Sequence, residues 1–152
     1  MEKLTMTDSD YGALAKAMRK VEFFAPLTLG ELEQIVPYIM LCRYKPGETV
    51  FRQGDPGDAF YIIMDGSVSV RLKKMIFLTK TVATLGPGAF FGEMALLSKD
   101  PRSATVVSEA ESRLFVLLSA DFGFVLKKNP AFAAEMAKLS ERRKFMSRQQ
   151  ED

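Results

Sequence analysis

From Met40 onward the chain is interrupted at short intervals by turn chemistry: Pro46-Gly47, Gly54-Asp55-Pro56-Gly57, Asp65-Gly66 and Gly86-Pro87-Gly88. Glycine supplies the positive φ and proline the fixed φ that chain reversals need, so long helices cannot run through these points. The segments around and between them are of strand length: Thr49 to Arg52, Ala59 to Met64, Ser67 to Leu72, Thr79 to Leu85, Ser103 to Ser108 and Ser112 to Leu118. Val68, Val70 and Leu72 alternate with Ser67, Ser69 and Arg71, the pattern of a strand with one buried face. Many short strands in one small domain predict a mainly β fold with flanking helices, built on an antiparallel β jelly-roll barrel over about 40–118.

The flanks have a different period. The first forty residues read as helical: Asp8 or Ser9 is a candidate N-cap, and Leu14, Ala17, Met18 and Val21 recur every three to four residues. Phe23, Phe24 and Pro26 break that pattern. Thr28 then caps a second helix, with Glu31 completing a capping box. After Ser119 the helical period returns, with Asp121 near the start and Lys127 and Lys128 near the end, where they complement the helix dipole. Pro130 suits the first position of a last helix whose stripe runs Phe132, Met136, Leu139, Arg143 and Met146. The expected organisation is a helical extension over 1–20, a domain over 21–148 whose last helices occupy about 120–148, and a tail over 149–152.

Composition narrows the chemistry. The 152 residues include no histidine, no tryptophan and one cysteine. Ser-His-Asp and Cys-His nucleophile systems, thiolate zinc sites and disulfide frameworks are therefore excluded, and no metal site is expected. Cys42, in a strand-like run, reads as a small buried filler and fits a reducing compartment. The formal net charge is +2, too balanced for a protein that lives on nucleic acid. Seven basic and four acidic residues fall from Lys127 onward, leaving −1 for everything before it; that surplus reads as a solvated helix face. Apolar runs such as Phe60 to Met64 are far shorter than the ~18 residues that span a bilayer. The expectation is a soluble cytoplasmic protein without a membrane segment or a DNA-binding motif.

One stretch interrupts the β pattern: Gly86 to Thr105, Gly-Pro-Gly-Ala-Phe-Phe-Gly-Glu-Met-Ala-Leu-Leu-Ser-Lys-Asp-Pro-Arg-Ser-Ala-Thr. Phe91 to Leu97 carries helix formers after a glycine and predicts about one and a half turns starting near Gly92. The first amides of such a turn form a small positive nest. Arg102 follows just before a strand, where its planar guanidinium can grip two anionic oxygens. Gly92 permits close approach of the backbone to a ligand. No Gly-Lys-Ser/Thr phosphate loop and no acidic cluster for magnesium accompany it, so a triphosphate is poorly served. A cyclic phosphodiester, with one negative charge and a free ribose 2′-hydroxyl that Glu93 could bind, fits better.

These residues resemble the cyclic nucleotide-binding domain of catabolite activator-type regulators, kinase regulatory subunits and cyclic nucleotide-gated channels. Phe91-Gly92-Glu93-Met94-Ala95-Leu96-Leu97, four intervening residues, then Arg102-Ser103-Ala104-Thr105 is similar to that family's phosphate-binding cassette. Lys45-Pro46-Gly47-Glu48, Gly54, Gly57-Asp58, Tyr61-Ile62 and Gly66-Ser67-Val68 resemble its strand and turn pattern. The likeness covers roughly 20–147. It implies that the short helix binds phosphate, that Arg102 grips the cyclic phosphate and that Glu93 takes the 2′-hydroxyl. Gly92, Met94, Ala95, Ser103 and Ala104 complete the ligand site, the last two and Ala95 through their amides. Val70, Val82 and Ala83, on inward strand positions, line the base pocket, and Arg143 or Phe145 is a candidate lid from the last helix.

The resemblance implies a non-catalytic sensor: cAMP, less favourably cGMP, enters the jelly roll, and the two C-terminal helices move over it. Ser103 follows the arginine where the family's threonine goes with cGMP and its small residues with cAMP. An effector protein or a homodimer through the C-terminal helix is the expected partner. The competing readings are a degenerate jelly-roll interaction or dimerisation module that binds no nucleotide, against which Glu93 and Arg102 stand, and a cupin-type enzyme, which normally needs metal-binding histidines.

Overall fold

The computed structural model describes residues 1–152 apart from 23, 26, 76, 77, 99, 139, 140 and 142–152. Its elements are β1 (Glu2–Leu4), α1 (Asp8–Met18), α2 (Leu29–Ile35), a 3-10 turn (Val36–Tyr38), β2 (Met40–Tyr44), β3 (Thr49–Phe51), β4 (Ala59–Asp65), β5 (Val68–Met75) and β6 (Leu78–Leu85). They continue with β7 (Phe90–Phe91), α3 (Met94–Leu97), β8 (Thr105–Ser108), β9 (Ser112–Leu118) and α4 (Ser119–Lys128). The chain is helical again over 130–138. The strands form a five-stranded sheet, β1-β2-β9-β4-β7, and a four-stranded sheet, β3-β8-β5-β6. Every ladder is antiparallel. The jelly roll is thus two facing sheets with open edges rather than a closed barrel.

The five-stranded sheet is buried on both faces, and its sequence shows why. Along β4, Phe60 and Ile62 face a helical layer, while Ala59, Tyr61 and Ile63 face the second sheet. In β9, Phe115 and Leu117 point to the helices, and Leu114 and Val116 point to the sheet. Ala59–Met64 and Leu114–Leu118 are therefore continuous apolar runs, as a strand covered on both sides requires. The helical layer is closed by Leu14 and Met18 of α1, Ile35 of α2, Phe122 and Val125 of α4, and Phe132 and Met136 beyond it. Phe24 anchors this layer, with ring contacts to Phe60 at 5.8 Å and to Phe122 at 6.4 Å. Cys42 is buried between the sheets, and burial raises its thiol pKa, consistent with a filler role.

The N-terminal segment departs from the helical expectation. Glu2–Leu4 form a strand on β2, paired Glu2↔Arg43 to Leu4↔Leu41. Three residues of low β propensity adopt this state because β2 offers an open edge and Arg43 binds the Glu2 carboxylate at 2.5 Å. The cap of α1 is Thr7, not Asp8 or Ser9. Thr7 Oγ1 accepts the Asp10 amide at 3.2 Å, and the Asp10 carboxylate accepts the Thr7 amide at 2.9 Å. Only Thr7 has a carboxylate three residues on to close that box. Thr28 and Glu31 form the same box on α2 as expected. Ser69, expected on an exposed face, is buried because the Arg71 side chain folds across it, Nε donating to Ser69 Oγ at 3.0 Å, and continues to Glu109 at 2.8 Å.

Two outcomes test this core. Phe60→Ala removes the ring that links Phe24 to the sheet and is expected to cost about 3–5 kcal/mol of unfolding free energy, read by urea denaturation. Tyr44 and Tyr61 lie between the sheets, where burial raises both phenol pKa values, that of Tyr61 to about 12. The fold thus favours the protonated phenols. The stability they add is full below the unfolded pKa of about 10 and falls as the pH rises above it. Urea midpoints measured on either side of that pKa should drop at the higher pH, and Tyr44→Phe with Tyr61→Phe should flatten the drop.

Candidate functional site

The segment between β7 and β8 cannot continue either sheet, and Gly92 sets its course. Gly92 has φ +77°, and a Cβ there would lie 2.8 Å from Arg102 Nη1 and 3.1 Å from the Ala59 carbonyl oxygen. Glycine is needed for both backbone conformation and space. The chain then turns through α3, a single turn that starts two residues later than the expected Gly92 and has Glu93 as N-cap. The Ala95 amide closes this turn on the Gly92 carbonyl at 3.0 Å. Return to the sheet is fixed by backbone bonds: the Arg102 amide donates to the Asp55 carbonyl at 2.7 Å, and the Gly54 amide to the Arg102 carbonyl at 2.8 Å.

These constraints hold Arg102 inside the protein. Its side chain is 5% exposed. Nη2 donates to the Ala59 carbonyl at 2.7 Å and lies 3.4 Å from an oxygen of Asp58, whose side chain is largely exposed. The guanidinium carbon sits 4.0 Å from the centre of the Phe51 ring. Phe51 in turn packs on Tyr61 and Phe91, which are stacked at 5.0 Å. Arg102 Nε is buried and has no hydrogen-bond partner among the described residues. A buried cation with an unused donor is costly unless an anion reaches it. Beside it is a cavity of about 600 Å³ walled by the 92–95 turn, by 100–104, and by Phe51, Val70 and Val106 of the strands.

The structure brings Gly92, Glu93, Met94, Ala95, Arg102, Ser103 and Ala104 together around this cavity, and Val70 with them. It leaves Val82 and Ala83 outside the lining and exposed on β6. Both sit on β6, the edge strand of the four-stranded sheet, which is exposed along nearly its whole length; Ala83 shares the face of its partner Val70, and Val82 is the extra residue of a bulge between Val70↔Ala83 and Arg71↔Thr81. Arg143 and Phe145 lie outside the described residues. Sequence reasoning missed Phe51, Tyr61 and Phe91 as the aromatic support of Arg102. Their only signal was aromatic residues at strand positions flanking the cassette. Asp58 read as a turn residue, yet it is the carboxylate nearest the arginine. Among the described residues no group of three or more His, Cys, Asp or Glu could hold a metal.

Comparison with known proteins agrees with this geometry. The family profile described as Cyclic nucleotide-binding domain matches residues 41–129. A cyclic nucleotide-gated potassium channel of Mesorhizobium japonicum is 40% identical over 113 residues, 74% of this chain and 30% of the channel. The cyclic AMP receptor protein of Thermus thermophilus is 32% identical over 126 residues, 83% of this chain and 58% of that protein. The regulatory domain of Toxoplasma gondii PKA, crystallised with cAMP, superposes with a TM-score of 0.73 at 26% identity over 80% of this chain and 46% of that one. The chain thus spans between about a third and somewhat over half of these relatives. With the profile covering more than half of its residues, the chain belongs to the cyclic nucleotide-binding domain family.

Proposed function

We propose that the cavity beside Arg102 binds a cyclic nucleotide monophosphate, cAMP in preference to cGMP, and that the chain is a regulatory sensor rather than an enzyme. The observation that carries this reading is the buried guanidinium of Arg102, with Nε unpartnered at the wall of a cavity sized for a small ligand. A cyclic phosphodiester brings one negative charge to one fixed cation. Its oxygens would take the donors that the protein leaves unused, while the amides of Ser103 and Ala104 add partial positive charge; the Ala95 amide already donates to the Gly92 carbonyl. Glu93, at the start of α3, would accept the ribose hydroxyl. Val70 offers apolar surface to the base. Arg102 stays in place because Phe51 packs on its flat face and the Ala59 carbonyl holds one end.

Regulation in this reading comes from differential affinity of the ligand for two arrangements of the C-terminal helices. Support comes from the packing: Ala95 of α3 lines the cavity, while Leu96 packs against the helical layer that contains Phe122 and Val125 of α4. The binding unit would span 21–148, with 1–20 packed on it as an extension and 149–152 as a tail. Its setting would be the cytoplasm, with an effector protein or a second copy as the downstream partner. No described helix is long and apolar enough to cross a membrane.

Titration calorimetry with cAMP and cGMP is expected to show one site and tighter binding of cAMP. Arg102→Ala should lose about 2–5 kcal/mol of that binding, because the ligand anion is left without its counter-charge. Unchanged affinity in the variant would falsify the cradle, and no binding to the wild type would favour the interaction-module reading. With no tryptophan in the chain, nucleotide carried through purification should also appear as an absorbance excess at ~260 nm that disappears on denaturation and dialysis.

A further inference from the structure

The cavity beside Arg102 is short of positive charge. Among the described residues that wall it, Arg102 is the one cation, while Glu93 and Asp100 bring two carboxylates. A third carboxylate, Asp58, stands outside the wall at 3.4 Å from Arg102 Nη2. Asp100 is exposed, and its carboxylate is fixed by Ser98, whose hydroxyl donates to Oδ2 at 3.1 Å. Phe51, Val70, Phe91 and Val106 form the strand side of the wall. Apolar walls screen charge less than water does, so each of these charges is felt inside the cavity.

The donors of Arg102 limit what can be met there. Nη2 donates to the Ala59 carbonyl at 2.7 Å, and Nε has no partner among the described residues. The edge that carries Nε is therefore the one left to a ligand, and one guanidinium edge grips two oxygens. A phosphate diester has two free oxygens that share one charge. A phosphate monoester has three, and above its second pKa of about 6 it carries close to two charges. The first charge meets Arg102; the second faces Asp58, Asp100 and Glu93, with no second cation in the described wall to offset them. An uncompensated charge in a part-enclosed site is costly, so carboxylates placed around one cation select by repulsion.

We propose that Asp58 and Asp100 restrict the cavity to phosphates that carry a single negative charge, rejecting monoesters by charge rather than by shape. This assignment rests on the reading of the cavity as a nucleotide site and adds the residues that set its charge limit. Packing does not account for the two carboxylates: both side chains are exposed, and Arg102 is already held by the Ala59 carbonyl and the Phe51 ring.

The test titrates the full chain with cAMP and then with two open adenosine phosphates in competition, at about pH 8 so that the monoester is doubly charged. These are 5′-AMP, a dianion, and adenosine 5′-methyl phosphate, a monoanion. At low ionic strength the wild type is expected to bind the methyl ester on the order of tenfold more tightly than 5′-AMP, and added salt should narrow the gap. Asp58→Asn combined with Asp100→Asn should raise the affinity for both, 5′-AMP the more, and cut the preference to about twofold. Asparagine keeps the size of each side chain and an acceptor for Ser98, so thermal unfolding midpoints should match the wild type. A filter made by shape would move with neither salt nor the substitutions. If cAMP itself does not bind, the nucleotide reading falls and this assignment falls with it. If cAMP binds but the two open esters bind alike, or the preference survives both substitutions undiminished, the charge filter alone is overturned.

Discussion

Much of this molecule follows from one constraint: the five-stranded sheet must be covered on both faces. Phe60, Ile62, Phe115 and Leu117 on one side cannot meet water, so the helices before and after the sandwich have to pack there. Tyr61, Ile63, Leu114 and Val116 on the other side demand the second sheet. Once both layers are in place, β4 is fixed from both sides. Its first residues, beginning with Ala59, supply the carbonyl that holds Arg102. The position of the buried charge is therefore set by the apolar core.

The cavity departs from that economy. Elsewhere buried polar groups find partners: Ser108 and Ser112 bond each other and the Ala110 carbonyl, and Asp10 closes a capping box whose Thr7 amide lowers its carboxyl pKa. Arg102 alone keeps a buried side-chain donor without a partner among the described residues. Its stacking on Phe51 covers the guanidinium face while leaving its edge available. A protein that needed only a structural arginine would satisfy that edge internally, since an unsatisfied buried donor destabilises the fold. In the proposed reading, local stability is exchanged here for readiness to receive an anion.

Much of this was legible in the sequence, and the exceptions have physical causes. Strands β3, β4, β5, β6 and β9 lie within a few residues of their expected limits because turn chemistry is local. Gly47, Gly54, Gly66 and Gly88 all adopt the positive φ that their turns require. The 86–105 segment was legible because it interrupts the strand pattern, and its reading as a cassette came from its resemblance to the family. Strand β1 was hidden, since Glu2-Lys3-Leu4 pairs through the open edge of β2 and not by propensity. The exposed placement of Val82 and Ala83 was hidden as well. Their strand is the edge of its sheet, a position that alternation along the strand does not reveal. The aromatic support of Arg102 comes from strands far apart in sequence, which only the sheet order brings together.

The place of β9 in that order has a consequence for synthesis. β9 lies between β2 and β4, bonded to both, although it is among the last strands to be made. Until Ser112–Leu118 has left the ribosome, the principal sheet has an empty central position and two open edges facing each other. Its earlier strands can form hairpins but cannot close the core, because their pairing partner is still missing. The four-stranded sheet has the same dependence to a lesser degree, with β8 joining β3 to β5. Productive folding is therefore late and nearly all-or-none with respect to chain length. Nascent chains halted before residue 118 expose the apolar runs of β2 and β4 and depend on whatever shields them.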